Sequence, residues 1–323
     1  MQASNGVENA PMVSAVVPCR NEEKFISVCL DSIFNQDYPK DKLEVLVVDG
    51  NSTDKTREIV NNFELRTSNF ELKLITNPKI ITPAAMNVGI KNSKGEIIIK
   101  MDAHSVYEKD YISKCVEHLK ESGADNVGGV LKAIPSKKSL AAQAIAISLS
   151  HIFGAGSSYF RIGVDKPREV DTVAFGCYWK KIFDKIGLFD ERMAKIEDLE
   201  LNLRLKKAGG KIMLFPDIKA SYYPSSDNLK DFLRHNFIDG IWTTYPLKFG
   251  FVSGSWRHYI PLIFVLTLPL SIWPYIFLSL FFSFKISIKE KSLGLFFAMP
   301  LVFGTRHIGY GFVSIWGLIK III

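Results

Sequence analysis

Cysteine is scarce in this sequence: there are four, Cys19, Cys29, Cys115 and Cys177, and no two form a CxxC pair. That spacing argues against a cysteine-built zinc site and a disulfide framework, and suits a reducing compartment. Residues 1–11, MQASNGVENAP, lack an apolar run, so no signal peptide is expected and the bulk of the chain should stay in the cytosol. Concentrated positive charge is missing as well. Lys and Arg number 40 against 33 Asp and Glu, a formal charge of +7, but no arginine-rich arm, helix-turn-helix or zinc-finger spacing accompanies it. Nucleic acid is therefore a poor partner, and an anionic lipid surface a better one. Internal repeats and low-complexity runs are also lacking.

What the sequence does have is apolar residues, 47% of the chain, unevenly spread. From Tyr259 onward Phe, Leu, Ile, Trp and Pro dominate, and residues 259–284 carry no charged side chain. About 20 residues suffice to cross a bilayer, although Pro261, Pro269 and Pro274 should break a straight span. Lys285, Lys289 and Lys291 follow, and a single crossing from the cytosol would place them outside, against the positive-inside bias. A broken, re-entrant or two-helix arrangement avoids this. Residues 293–323 are apolar but interrupted by Arg306 and His307, which fits interfacial placement or a buried polar contact. Membrane attachment is expected, with the number of crossings open.

Earlier in the chain, strand and helix alternate. MVSAVVP (12–18) reads as a buried strand stopped by Pro18, with Asn21 capping a helix whose first turn holds Glu22 and Glu23. LEVLVV (43–48) is a second strand closed by Asp49 and Gly50, and NSTDKT starts a helix burying Ile59, Val60 and Phe63. LKLIT leads to a helix from Pro83 through Ile90, and SKG turns into a strand over 96–101. This predicts an α/β fold, a mostly parallel sheet with helices on both faces, whose ligands sit at the carboxyl ends of the strands. Arg20, Asn21 and Glu22, then Asp49, then Asp102 and His104 fall just past three such ends. Alone, Asp102 and His104 fit a turn beside a surface histidine. Three strand ends delivering acids to one edge fit a shared crevice better.

Beyond this half the pattern predicts a strand over 126–134, a helix over 139–150, a flexible loop over 153–163 and a strand over 171–179. A helix from Glu197 to Ala208 stops at Gly209 and Gly210, KIMLFP closes the sheet, and 228–240 form an amphipathic helix. The expected organisation is a catalytic domain over 1–227, a connecting segment over 228–257 and a membrane-associated region over 258–323.

Pro18 with Asn21 and Glu22, VVDGNSTDKT, an acidic motif after a strand, and IEDLEL occur in that order. The ordered set resembles family 2 glycosyltransferases of the GT-A fold. Within them DAH, SHIFGAGSSYFRIG, VDTVAFGCYWKKIFDKIGLFDE and RHIGYGF look like the succinoglycan-biosynthesis glucosyltransferases, which extend a lipid-linked sugar. The resemblance implies an inverting transfer of one sugar, glucose or another hexose, from a UDP-sugar to a hydroxyl of a polyprenyl-diphosphate-linked acceptor. It implies a membrane-bound enzyme whose catalytic domain lies on the cytoplasmic side, acting in polysaccharide assembly.

The residues suit that chemistry. Asp49 is suited to hold uracil, with Pro18, Arg20 and Glu22 at the neighbouring strand end; an Asx-type turn before Gly50 is the plainer reading of Asp49. A leaving diphosphate needs positive charge, which a divalent cation supplies as a Lewis acid. The resemblance places Asp102 at ribose and metal and makes His104 a metal ligand in place of the usual carboxylate. Imidazole shifts the balance from magnesium towards manganese. Asp198 is the expected general base, although Glu197 and Asp198 would also complement a helix dipole. Glu197, Arg161 and Trp242 are further candidate contacts for acceptor or phosphate, Arg161 reading equally well as a plain surface arginine. Two alternatives stay open: a synthase acting on a bare polyprenyl phosphate, which needs no strong base, and a non-catalytic membrane-bound nucleotide-sugar sensor. A processive synthase fits poorly, because Q-x-x-R-W is absent near Trp242.

Overall fold

A computed structural model of the chain describes residues 10–66 and 71–322. Residues 1–9, on which most of the signal-peptide expectation rests, lie outside it. In chain order the elements are β1 (Val13–Cys19), α1 (Ile26–Phe34), β2 (Leu43–Asp49), α2 (Thr56–Arg66), β3 (Glu71–Thr76), α3 (Thr82–Asn92), β4 (Ile97–Lys100) and β5 (Ser105–Tyr107). There follow α4 (Tyr111–Glu121), β6 (Asn126–Ala133), α5 (Leu140–Ser150), α6 (Ile152–Ala155), α7 (Tyr159–Ile162), β7 (Arg168–Glu169) and β8 (Cys177–Trp179). The chain continues through α8 (Lys181–Ile186), α9 (Glu197–Lys207), β9 (Ile212–Tyr222), α10 (Leu229–Thr244), α11 (Ile260–Leu266), α12 (Leu268–Lys289), α13 (Leu293–Gly304) and α14 (Tyr310–Ile322).

The strands form one sheet in the order β3-β2-β1-β4-β8-β6-β9-β5, with β7 on β9. Its first four strands are parallel, and β8 joins antiparallel to β4. Every residue of β1, β2 and β4 is buried, as expected of parallel strands covered on both faces. Val16, Leu46, Val48 and Ile98 pack with Met86 and Ile90 of α3, Phe183 of α8 and Leu201 of α9. A side chain at Gly89 would collide with Val16, so glycine lets α3 lie close on β1.

Three expectations are corrected. Asn21 does not cap α1: it takes φ +55°, away from the extended geometry of a cap, and the helix starts only at Ile26. The predicted strand over 171–179 shrinks to Cys177–Trp179, because Phe175 has φ +55° and interrupts an extended run. The predicted loop over 153–163 contains the short helices α6 and α7, the first begun by His151, whose Nδ1 accepts from the Phe153 amide at 3.1 Å.

The chain forms two compact units, Met1–Leu131 with Gly163–Ser221, and Lys132–Ile162 with Tyr222–Ile323. Residues 132–162, assigned by sequence to the catalytic part, cluster with the C-terminal helices. Ala144 and Ile145 of α5 share a core with Phe232, Ile286, Leu295, Met299, Val302 and Phe303. Pro261 and Pro269 stand at helix starts, where the missing N–H costs nothing, and α12 runs unbroken through Pro274. Among the described residues α12 is the one helix long and apolar enough to cross a membrane, and only 17% of its most apolar window is buried.

Candidate active site

The parallel register sets Cys19 beside Asp49 and Val16 beside Lys100, so β1, β2 and β4 deliver their following residues to one edge. Two of the loops there are laced together. Asn21 N donates to Ser52 Oγ at 2.8 Å, Glu22 N to Thr56 Oγ1 at 2.7 Å and Glu23 N to Asp54 Oδ2 at 3.1 Å. Thr53 N returns a bond to Asn21 Oδ1 at 2.8 Å, and Lys55 N to Glu23 Oε2 at 3.2 Å. Asn21, with its positive φ, is the hinge of this lacing.

Pro18 is buried in β1 opposite Val48, so its contribution at the edge is through the backbone. Arg20 stands exposed over Gly50. Asp49 is fully buried, and its carboxylate accepts from Arg57 Nη1 at 2.7 Å, from the Ser52 amide and from the Ser52 hydroxyl. The local turn expected of it therefore exists, with an arginine added. Asp49→Ala should cost about 1–3 kcal/mol by leaving these donors without their acceptor, read as a lowered unfolding midpoint. Asp49→Asn, which keeps an acceptor, is the better variant for reading nucleotide affinity by calorimetry.

Asp102 and His104 do meet. His104 Nε2 lies 3.8 Å from Asp102 Oδ2, while its Nδ1 is 3.0 Å from Glu22 Oε1. Glu22 thus engages His104 and is not left free at the strand end. Burial works to lower the imidazole, but the carboxylates of Asp102 and Glu22 outweigh it and push it up to about 9. Among the described residues no three His, Cys, Asp or Glu side chains form a metal-holding group. The pair still fits a divalent cation: Glu22 fixes the ring through one nitrogen and turns the other towards a carboxylate, the arrangement that orients metal-ligating histidines.

Sequence reasoning treated Lys100 as part of a buried strand, but its side chain, only 5% exposed, reaches the start of α9. Its Nζ donates to Glu197 Oε1 at 2.9 Å and to Asp198 Oδ2 at 2.6 Å. The signal was a lysine closing three isoleucines, IIIK, where a lone buried cation demands an anionic partner. Asp198 Oδ1 is buried without a hydrogen-bond partner. Burial pushes the Asp198 carboxyl up, Lys100 pulls it back, and Glu197 and Asp102 push again; one lysine among three acids leaves it raised. Asn202, one turn along α9, is fixed by Asn126 at 2.8 Å and by Thr172 at 2.8 Å. Arg204 holds the Leu188 carbonyl at 2.9 Å and pairs with Glu200 at 2.7 Å. The helix that carries Asp198 is thereby anchored at its middle and its end.

Arg161 and Trp242 belong to the other unit. Arg161 donates to the Tyr222 hydroxyl, and Trp242 meets Tyr245 edge-on with centroids 5.8 Å apart.

Acids gathered after three strands of a parallel sheet, with a lysine-held carboxylate at a helix start, accord with a GT-A fold. The model of glycosyl transferase family 2 matches residues 14–187, and the chain belongs to that family. It is 32% identical over 321 residues to the dolichyl N-acetyl-alpha-D-glucosaminyl phosphate 3-beta-D-2,3-diacetamido-2,3-dideoxy-beta-D-glucuronosyltransferase of Methanococcus voltae, covering 95% of this chain and 97% of that one. It is 29% identical over 248 residues to the succinoglycan biosynthesis protein ExoA of Rhizobium meliloti, covering 72% and 73%. Among solved structures, the mannosyltransferase PcManGT from Pyrobaculum calidifontis, in complex with GDP-Man and Mn2+, shares the fold with a TM-score of 0.64 at 19% identity, covering 95% of this chain and 87% of that one.

Proposed function

We propose that the protein transfers one sugar from a UDP-sugar to a hydroxyl of a glycan carried on a polyprenyl phosphate or diphosphate, with inversion, at a membrane. The observation that carries this reading is Asp198: one carboxylate oxygen bound by Lys100, the other buried and free. A hydroxyl acceptor needs such a base as it attacks the anomeric carbon opposite the leaving diphosphate. A bare phosphate acceptor does not. The Methanococcus voltae relative, named for a dolichyl phosphate-linked sugar as its acceptor, supports the lipid carrier. The outward apolar surface of α12, with Trp273 75% and Phe277 69% exposed, supports the membrane.

In this reading the strand-end groups Arg20 and Asp49 bind the nucleoside, and Asp102 and His104 hold a divalent cation with Glu22 orienting the imidazole. The cation, when bound, supplies Lewis-acid stabilisation of the departing diphosphate. Lys100 keeps Asp198 ionised and aimed, and Glu197 shares the lysine.

The test is transfer by the full chain in detergent from a panel of UDP-sugars to a lipid-linked acceptor. Product on a glycan hydroxyl is expected; product only on bare polyprenyl phosphate would overturn the assignment. EDTA should abolish transfer, and manganese should restore it at least as well as magnesium, given an imidazole in the ligand pair. Titration calorimetry should show Mn2+ binding that is lost in His104→Ala. Full turnover in EDTA would remove the metal from the scheme.

A further inference from the structure

The late sequence RHIGYGF and the glycine-rich stretch SHIFGAGSSYFRIG take no part in the site above, yet the C-terminal unit builds them into one feature. Between α13 and α14 the chain makes a single turn of π-helix, Thr305–Gly309. Such turns occur mostly singly and often at functional sites. This one is held firmly. His307 Nδ1 lies 3.1 Å from the Tyr275 hydroxyl, and its ring stacks on Phe303 with an interplanar angle of 6°. Tyr310 accepts from the Thr243 hydroxyl at 2.7 Å, and a side chain at Gly311 would collide with the Pro261 carbonyl.

What the turn presents is Arg306. Its Nε donates to the Gly154 carbonyl at 2.5 Å, its sole acceptor among the described residues. The second cation is Arg161, whose guanidinium lies 5.2 Å from the centre of the Tyr222 ring and donates to that hydroxyl. Arg57, Arg192 and Arg204 each pair with a carboxylate, and neither Arg161 nor Arg306 is seen to do so. The charge of Arg161 opposes that of Arg306, while Tyr310, Asp239 and Tyr222 act in the other direction. Two half-buried guanidiniums thus share a largely apolar unit. Holding like charges together there is unfavourable unless an anion joins them. Planar forks with free N–H groups match the oxygens of a phosphoryl group, which they bind in pairs.

We propose that Arg161 and Arg306 form a phosphoryl-binding site in the C-terminal unit, which takes the phosphate or diphosphate head of the isoprenoid lipid carrying the acceptor. The site rests on the lipid-linked reading given above. It assigns the π-turn a purpose: the turn fixes Arg306 in one orientation, so little freedom is lost when the headgroup arrives.

The test uses the full chain in neutral nanodiscs and two acceptors with the same sugar, one on a polyprenyl diphosphate and one on an uncharged alkyl chain. For Arg306→Gln and Arg161→Gln, the preference in kcat/KM for the phosphate-bearing acceptor should fall by about 10- to 100-fold, the loss of a charged hydrogen-bonding partner. Arg306→Lys should recover only part of it, because the fork is gone. Equal losses on both acceptors would make the arginines merely structural and overturn the proposal. Hydrogen exchange on wild type needs no substitution. Amides of 152–162 and 305–309 should be protected by polyprenyl phosphate, but not by polyprenol, inorganic diphosphate or bulk anionic phospholipid. Protection by bulk phospholipid to the same degree would overturn the isoprenoid assignment, and no protection would overturn the site. Failure of the lipid-linked reading looks different: wild type itself would then show no preference for the phosphate-bearing acceptor.

Discussion

Asp198→Asn should lower kcat by about 100- to 10,000-fold, the range over which a positioned general base acts. The amide keeps the size of the side chain and can still present an oxygen to Lys100, but it cannot take a proton from the acceptor. Nucleotide affinity should hardly change, because the proposed nucleoside contacts are at Arg20 and Asp49. In wild type, kcat should fall as the medium is acidified, with a midpoint above the ordinary carboxylate range. The sign follows from the burial of Asp198, which raises its carboxyl, and from the requirement that a base be unprotonated to work. Glu197→Gln should do less damage. Near-normal turnover in Asp198→Asn, with loss in Glu197→Gln, would exchange the two roles; no effect of either would favour a phosphate acceptor.

Lys100→Met should be the more damaging to the fold. Breaking a buried ion pair by removing one partner costs about 3–5 kcal/mol, and here one lysine serves two carboxylates with little exposure. Part of that cost is relieved if a carboxyl takes up a proton. Lys100 holds the Asp198 carboxyl down, so its removal should move the acid limb of kcat to higher pH, with activity poor at neutrality and recovering in alkali. The unfolding midpoint should drop in parallel. A pH profile superimposable on wild type would show that Lys100 does not tune Asp198.

The strand ends were legible because buried parallel strands write themselves as continuous apolar runs, and the residues after those runs must gather at one edge. Asp102 and His104 gather at that edge, and they meet because the chain turns between them, the Ser105 amide donating to the Asp102 carbonyl at 3.2 Å. Lys100 does belong to a strand, but its role stays hidden in the sequence, since its partners Glu197 and Asp198 lie nearly a hundred residues away and only the packing of α9 against the sheet joins them. Asn21 misled because its composition signals a cap, whereas its backbone turns left-handed to reach the next loop. The strand ending at Trp179 was overextended because Phe175 carries a positive φ that no apolar pattern reveals. Arg57, which neutralises Asp49, sits eight positions beyond it in the first turn of α2, which the intervening loop folds back over the strand end.

The lacing of residues 21–23 to 52–56 has a kinetic consequence. Each loop satisfies backbone amides of the other, so neither can detach alone without stranding donors on its neighbour. The two segments, more than thirty positions apart in sequence, form one cooperative opening unit. Their amides should exchange with solvent together, at a shared rate, and a break introduced in one loop should accelerate exchange in the other. Glu22 belongs to this unit and holds His104, so the same opening event loosens the imidazole on the third strand end.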